Sequence, residues 1–143
     1  MADIRPFCAI RPQGPAAEKI AALPYDVYDR KEAKKEVLEN PQSFLKIDRP
    51  ETQFPDDVDM YAPEVYRQAE VTLWKMMEDG DFCQDTENCY YIYELTMDGR
   101  IQTGIVACAS IDDYESGVIK KHENTRAEKE KDRICHVDIC GAQ

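Results

Sequence analysis

The chain has 143 residues, with 18 Lys and Arg against 29 Asp and Glu, for a formal charge of −11. That length suffices for one domain with a core. A surface this acidic repels nucleic-acid backbones and anionic membranes, so neither is an expected partner. A phosphate-bearing ligand would need a local cluster of cations working against the overall field.

No apolar run is long enough to cross a bilayer. The opening MADIRPFCAI carries an acid and lacks the apolar stretch of a secretory leader, so the expected location is the cytoplasm. The six cysteines, Cys8, Cys83, Cys89, Cys108, Cys135 and Cys140, form no Cys-x-x-Cys pair and match no zinc-module spacing. Reduced thiols are expected.

Residues Ile4 to Ile10 read as a first strand broken near its start by Pro6. Pro15 to Ala22 reads as a short helix. LPYDVY follows as a turn. Asp29 then starts a helix, with Glu32 in capping-box relation and Ala33, Val37 and Leu38 as its apolar stripe. Asn40-Pro41 ends it, because a residue before proline avoids helical angles. Ser43 to Ile47 reads as a second strand, and Arg49 to Met60, rich in Pro and Asp, as a surface loop.

A long helix is expected from Pro63 to Asp79, stopped by Gly80. Its apolar positions Val65, Ala69, Leu73, Trp74 and Met77 predict a core-facing stripe. Tyr90 to Met97, Asp98-Gly99 and Arg100 to Ser110 predict a β-hairpin with a type I′ turn. Counting outward from that turn pairs Ile92 with Ile105 and Tyr93 with Gly104. Tyr90, Tyr91 and Tyr93 read as sheet packing, or as a platform on which a base stacks.

Asp112 to Gly117 predicts a turn or short helical piece, and Val118-Ile119 a short strand. A last helix is expected after Thr125, with Thr125 and Glu128 as a second capping box. Ile134, Val137 and Ile139 on it call for a partner surface, either further chain or another copy. Neither repeats nor a linker mark a boundary, so residues 1–143 read as one domain or the first part of a larger one. The mixture of helices with an antiparallel hairpin points to the α+β (mixed α/β) class.

The segment KKHENTRAEKEKDRICH carries the chemistry. At about 100° per residue, Arg126, Lys129 and Arg133 fall on one helical stripe, with His136 beside it. Thr125 and the free amides behind it sit at the helix start, where anions are stabilised. His122 and Glu123 precede that end and can move a proton. The set suits a phosphate or carboxylate. A plainer reading also stands: Glu128, Glu130 and Asp132 are interleaved with the cations, so i,i+4 pairing alone could explain the run. His136 and Cys140 sit at zinc-compatible spacing but lack further ligands, so no metal site is assigned. Asp26, in the LPYDVYDR turn, is either a base or an ordinary turn residue.

IRPFCAIRP, AALPYDVYDRKEA, NPQSFLKIDRPE, YYIYELTMDGRIQTGIVACASIDDY and KKHENTRAEKEKDR, in this order, resemble the bacterial and archaeal family called domain of unknown function 1015. The similarity spans essentially the whole chain. That family is similar at a distance to the ParB/sulfiredoxin-like superfamily, which includes free-serine kinases. The resemblance implies a mixed sheet with packed helices, incomplete at its C-terminus. It also implies phosphoryl transfer on serine or phosphoserine with an adenine nucleotide, ATP or ADP with Mg. Asp26, His122 and Glu123 would then be catalytic. Thr125, Arg126, Lys129, Arg133 and His136 would hold the phosphate. Members of the family are usually longer and carry an A-D-G-H-H-R motif farther on. That motif is absent between Met1 and Gln143, so an N-terminal portion, inactive alone, is expected. The competing expectations are a non-catalytic nucleotide or anion sensor, and a structural segment that binds a partner or forms a homodimer.

Overall fold

The computed structural model describes residues 1–122 and 124–142. Along them run β1 (Ile4–Arg5), β2 (Ile10–Pro12), α1 (Ala17–Ile20), α2 (Arg30–Glu39), α3 (Leu45–Asp48) and α4 (Pro63–Glu78). Then follow β3 (Phe82–Gln84), β4 (Tyr91–Met97), β5 (Arg100–Val106), β6 (Cys108–Ala109), α5 (Ile111–Glu115) and α6 (Ala127–Cys140). Short 3-10 helices occupy Tyr25–Val27 and Pro50–Gln53. The fold is α+β, and the described strands pair only two by two. Two compact units divide the chain. The first is Met1–Arg11 with Gln84–Asn124, and the second is Pro12–Cys83 with Thr125–Gln143.

In the second unit, α2 starts as its sequence predicts. Asp29 Oδ1 accepts from the amides of Lys31 and Glu32 at 2.7 and 2.8 Å, and Glu32 Oε2 accepts from the Asp29 amide at 2.9 Å. This reciprocal cap satisfies helix amides that would otherwise lack partners. The helix ends at Asn40, before Pro41.

Ser43 to Ile47 is a correction. The predicted strand is the one-turn helix α3, closed by bonds from the Ile47 amide to the Phe44 carbonyl and from the Arg49 amide to the Leu45 carbonyl, each 2.8 Å. A five-residue, largely apolar run does not separate strand from helix, and tertiary packing of Leu45 and Ile47 decides. The segment after it is also no simple surface loop. Pro50, Glu51 and Thr52 are buried, because the Arg49 guanidinium draws Glu51 inward.

Helix α4 opens with Pro63 at its first turn and buries Val65, Tyr66, Ala69, Thr72, Leu73 and Met76. Trp74, expected in the core, is 47% exposed. The buried face is rotated by about one position, so Met76 rather than Met77 is the buried methionine at its C-terminal end. Burying each large apolar side chain contributes ~2 kcal/mol, so this face is a main source of the unit's stability.

The first unit rests on the hairpin. Ile92 pairs with Ile105 and Tyr93 with Gly104, as counted from the turn. Asp98 and Gly99 have φ of 51° and 74°, the positive angles that a type I′ turn requires. The first strand is shorter than expected. Ile4–Arg5 pairs with Cys108–Ala109, and Phe7 makes a lone bridge to Cys89 after Pro6, which has no amide to donate. Val118-Ile119 is not a strand. The Ile119 amide folds back onto the Asp113 carbonyl at 2.9 Å, closing the end of α5. Tyr91 is a pin rather than a stacking platform. Its hydroxyl lies 2.7 Å from Asp85 Oδ2 and accepts from the Ala9 amide at 2.9 Å. Arg11 holds Asp85 at 2.7 Å. Among the described residues no helix is long and apolar enough to cross a membrane, and all six cysteines are free.

Candidate functional site

Within the second unit a polar cavity of about 310 Å³ opens between the Tyr25–Val27 turn, the end of α3 and α6. Its floor is built by Arg49. The guanidinium Nη1 donates to the carbonyls of Tyr25 and Tyr28 at 3.0 and 2.9 Å, and Nε donates to Glu51 Oε1 at 2.6 Å. One buried cation thereby ties the turn that carries Asp26 to the segment that follows Asp48. Tyr25 and Tyr28 also pack on the core of Ala33, Val37 and Leu45, which fixes the turn from below.

Helix α6 supplies the opposite wall. It begins at Ala127, with Arg126 at the cap position and no side-chain cap. The Thr125–Glu128 capping box is therefore absent, and Thr125 and Arg126 stay exposed, outside the cavity. Gly141, at φ of 63°, ends the helix in the left-handed conformation.

Lys129, Asp132, Arg133 and His136 line the cavity. Tyr66 OH donates to Asp132 Oδ1 at 2.8 Å, and burial with that carboxylate partner raises the phenol's pKa. Asp132 Oδ2 accepts from Arg133 Nη2 and Nε at 3.1 and 3.3 Å. The Arg133 guanidinium lies 4.5 Å from the Tyr25 ring centroid, in a cation–π contact. These contacts hold the guanidinium in one place while leaving Nη1 without a hydrogen bond. The nearest carboxylate to Nη1 is Asp48 Oδ1, at 3.6 Å. Burial raises the Asp48 pKa, with the charges of Arg133 and His136 pulling the other way.

Lys129 and Asp26 also line the cavity and make no ion pair or hydrogen bond among the described residues. The i,i+4 pairing that would make α6 a plain solvated face is therefore not formed there. The site has two cationic donors, Arg133 Nη1 and Lys129 Nζ, and a carboxylate, Asp26, all available to a ligand.

His136 has another role. Its Nε2 is 2.9 Å from the Ile47 carbonyl, which can only accept, so that nitrogen carries a proton. Its Nδ1 faces Cys140 Sγ at 3.9 Å. Both nitrogens are engaged within the protein, so the ring orders α6 against α3 rather than offering a donor to an anion. Burial pushes the Cys140 thiol up to about 11, which keeps it protonated and a poor metal ligand. Among the described residues no three His, Cys, Asp or Glu side chains converge as a metal site. His122 lies exposed in the first unit, and Glu123 lies outside the described residues.

The model of a family described as protein of unknown function (DUF1015) matches residues 4–143. The chain belongs to this family. No curated protein and no solved structure matches it. For this DUF1015 member the sequence-predicted residues thus divide. Asp26, Lys129, Arg133 and His136 come together, while Thr125 and Arg126 do not join them. Sequence reasoning missed Asp48, Arg49, Glu51, Tyr66 and Asp132. The run Ile47-Asp48-Arg49-Pro50-Glu51 held a signal: three charges around a proline, directly after the buried Ile47.

Proposed function

We propose that the second unit is the amino-acid seat of a cytoplasmic phosphoryl-transfer enzyme that acts on a hydroxy amino acid, serine or its phosphate ester. The observation that carries this reading is the union, in one cavity, of Arg133 Nη1, which makes no hydrogen bond and has only the loose 3.6 Å contact with Asp48, with the Lys129 ammonium and the Asp26 carboxylate, which make no ion pair or hydrogen bond among the described residues. A phosphorylated amino acid carries both signs of charge. Its phosphoryl oxygens suit a guanidinium and an ammonium. Its ammonium or hydroxyl suits Asp26. The volume, about 310 Å³, is at the small end for ligand cavities and fits an amino acid better than a nucleotide.

In this reading Arg133 and Lys129 hold and orient the phosphoryl group, and charge stabilisation of this kind is the main lever in phosphoryl transfer. In the forward direction the serine oxygen bonds to the γ-phosphorus of ATP arriving as co-substrate, the bond from that phosphorus to its bridging oxygen breaks to release ADP, and Asp26 receives the hydroxyl proton. In reverse, ADP takes the phosphoryl group from phosphoserine as the ester P–O bond breaks, and the proton returns to the serine oxygen.

Calorimetry of the purified protein with phosphoserine, serine, ATP and ADP tests the seat. Phosphoserine should bind, and Arg133→Ala or Lys129→Ala should weaken it tenfold or more, about 1.4 kcal/mol or greater. Unchanged affinity in both variants would remove the assignment. A second reading, a sensor that binds and does not turn over, is favoured by His136, whose two ring nitrogens face the Ile47 carbonyl and Cys140 rather than a ligand. Phosphate exchange between phosphoserine and ADP separates the two: binding without exchange supports the sensor.

A further inference from the structure

The Arg133–Asp48 contact has an unusual character, and its meaning for ligand binding rests on the reading of this cavity as an anion seat. Arg133 is anchored on its Nε and Nη2 edge by Asp132, itself held by Tyr66, and on its face by Tyr25. Only Nη1 is left. Across from it Asp48 Oδ1 stands at 3.6 Å, close enough to balance charge and too far for a hydrogen bond. The side chains of Arg133 and Asp48 are 30% and 28% exposed, so solvent reaches both without dominating either. Asp48 makes no hydrogen bond through its carboxylate among the described residues, whereas Asp132 makes three. One carboxylate is built in and the other is loosely placed.

We propose that Asp48 is an internal stand-in for the ligand: an incoming anion takes Nη1 of Arg133 from it, and the displaced carboxylate takes up one proton.

The charges around Asp48 set the direction. From α6 it faces Arg133 and His136, with Asp132 and Lys129 on the same wall. From its own side come Arg49 and Glu51, which neutralise each other at 2.6 Å. Tyr25, Tyr28 and Asp26 face the cavity from the turn, and Tyr66 from α4. The Cys140 thiol feels Asp48 and Glu70 but is itself protonated. Burial already favours the protonated form of Asp48, and Arg133 is the first charge opposing it. An anion on Nη1 cancels that opposition and adds a negative charge of its own. Both changes raise the Asp48 pKa further, so binding and protonation favour each other.

The same exchange bears on which anion is taken. A carboxylate ligand would replace one monoanion by another at Nη1. A dianion gains a second attraction to Lys129, and so displaces Asp48 more readily. The site therefore selects phosphoryl or sulfate groups over carboxylates.

Sulfate is the probe, because it stays dianionic and any pH dependence belongs to the protein. Sulfate affinity of the wild-type protein should rise as pH falls from about 8 to about 5, by at most about tenfold per pH unit for one linked proton. Calorimetry in two buffers of different ionisation heat should register proton uptake on binding. Asp48→Asn should bind sulfate more tightly at pH 8, lose the slope and take up no proton. Acetate should compete poorly with sulfate in the wild-type protein.

A slope retained in Asp48→Asn assigns the proton to another group and overturns the proposal, as does pH-independent, buffer-independent binding by the wild type. Those results leave the anion seat standing, provided Arg133→Ala still abolishes binding. Absence of sulfate binding at every pH, with Arg133→Ala indistinguishable from wild type, overturns the seat and this proposal together. If Asp48→Asn does not fold, the two-buffer measurement on the wild type decides alone.

Discussion

The two units of this chain are held together by different means. Every buried residue among those described belongs to the second unit, from Ile20 to Cys140, including the buried polar residues Arg49, Glu51, Asp132 and His136. In the first unit no described residue is buried. Ile92 and Ile105 face each other across the hairpin at 79% and 78% exposure. The first unit owes its shape to local chemistry: a two-residue turn, a seven-pair ladder and the Arg11–Asp85–Tyr91 pin. The second owes its shape to apolar burial and to buried polar contacts that each require a specific partner. A two-stranded hairpin without a packed face is marginally stable in water. A buried ion pair is stable only while both partners are present. The candidate site lies where side chains are positioned by many neighbours, as site chemistry requires.

The largest expected effect is at the cavity floor. Glu51→Ala leaves the Arg49 guanidinium buried without its carboxylate and should destabilise the protein by ~3–5 kcal/mol. Urea unfolding measures it. A loss under ~1 kcal/mol would mean that water compensates Arg49 and that the second unit is looser than its contacts indicate.

Truncation of matched apolar residues sharpens the contrast directly. Leu45→Ala in the second unit should cost about 2–5 kcal/mol. Ile105→Ala in the hairpin should change stability by no more than about 0.5 kcal/mol. If Ile105→Ala costs as much as Leu45→Ala, the hairpin face is covered in solution and the contrast between the units is lost.

Next comes Asp29→Ala, which removes the side-chain half of the reciprocal cap on α2, the bonds from the Lys31 and Glu32 amides, and leaves the Asp29 amide bonded to Glu32. A loss of ~1 kcal/mol is expected, with faster amide exchange at Lys31 and Glu32. Protection unchanged at those amides would show that other groups satisfy them.

The smallest effect concerns pH. The folded chain holds the Asp48 proton more tightly than the unfolded chain, since its folded pKa is raised. Its contribution to stability is therefore full at low pH. It is lost as pH rises from the ordinary carboxylate range through the raised folded value. Asp48→Asn should remove that loss, so the variant gains on the wild type between acidic and neutral pH. Thermal unfolding at several pH values reads this, and parallel curves would refute it.

Much of the fold could be read from residues close together in the chain. The Asp29–Glu32 cap, the stop at Asn40-Pro41 and the hairpin with its register are each set by neighbours within a few positions. The stripe on α6 was legible too, since Lys129, Arg133 and His136 share a face by helical geometry. What failed were features whose outcome depends on distant partners. Ser43–Ile47 reads as a short strand by its apolar residues but forms a helical turn against the core. Trp74 carries the right hydrophobicity for burial, yet the packed face of α4 runs through Tyr66 and Met76 instead. Thr125 has the residue type of a cap, but the helix starts two residues later.

The amino-acid order alone set the ends of α2, the type I′ turn and the clustering of cations in a chain of charge −11. These follow from backbone angles, hydrogen bonds and charges that act over one or two turns. Tertiary structure chose which of the cations would be free. Arg49 and Arg133 are the same residue type. Glu51 and two carbonyls engage Arg49 fully, while Arg133 keeps Nη1 open beside Asp48. Asp132 and Tyr66 are 66 positions apart, and only their meeting fixes that guanidinium. Such a contact depends on burial and on the approach of whole helices, which no local pattern encodes.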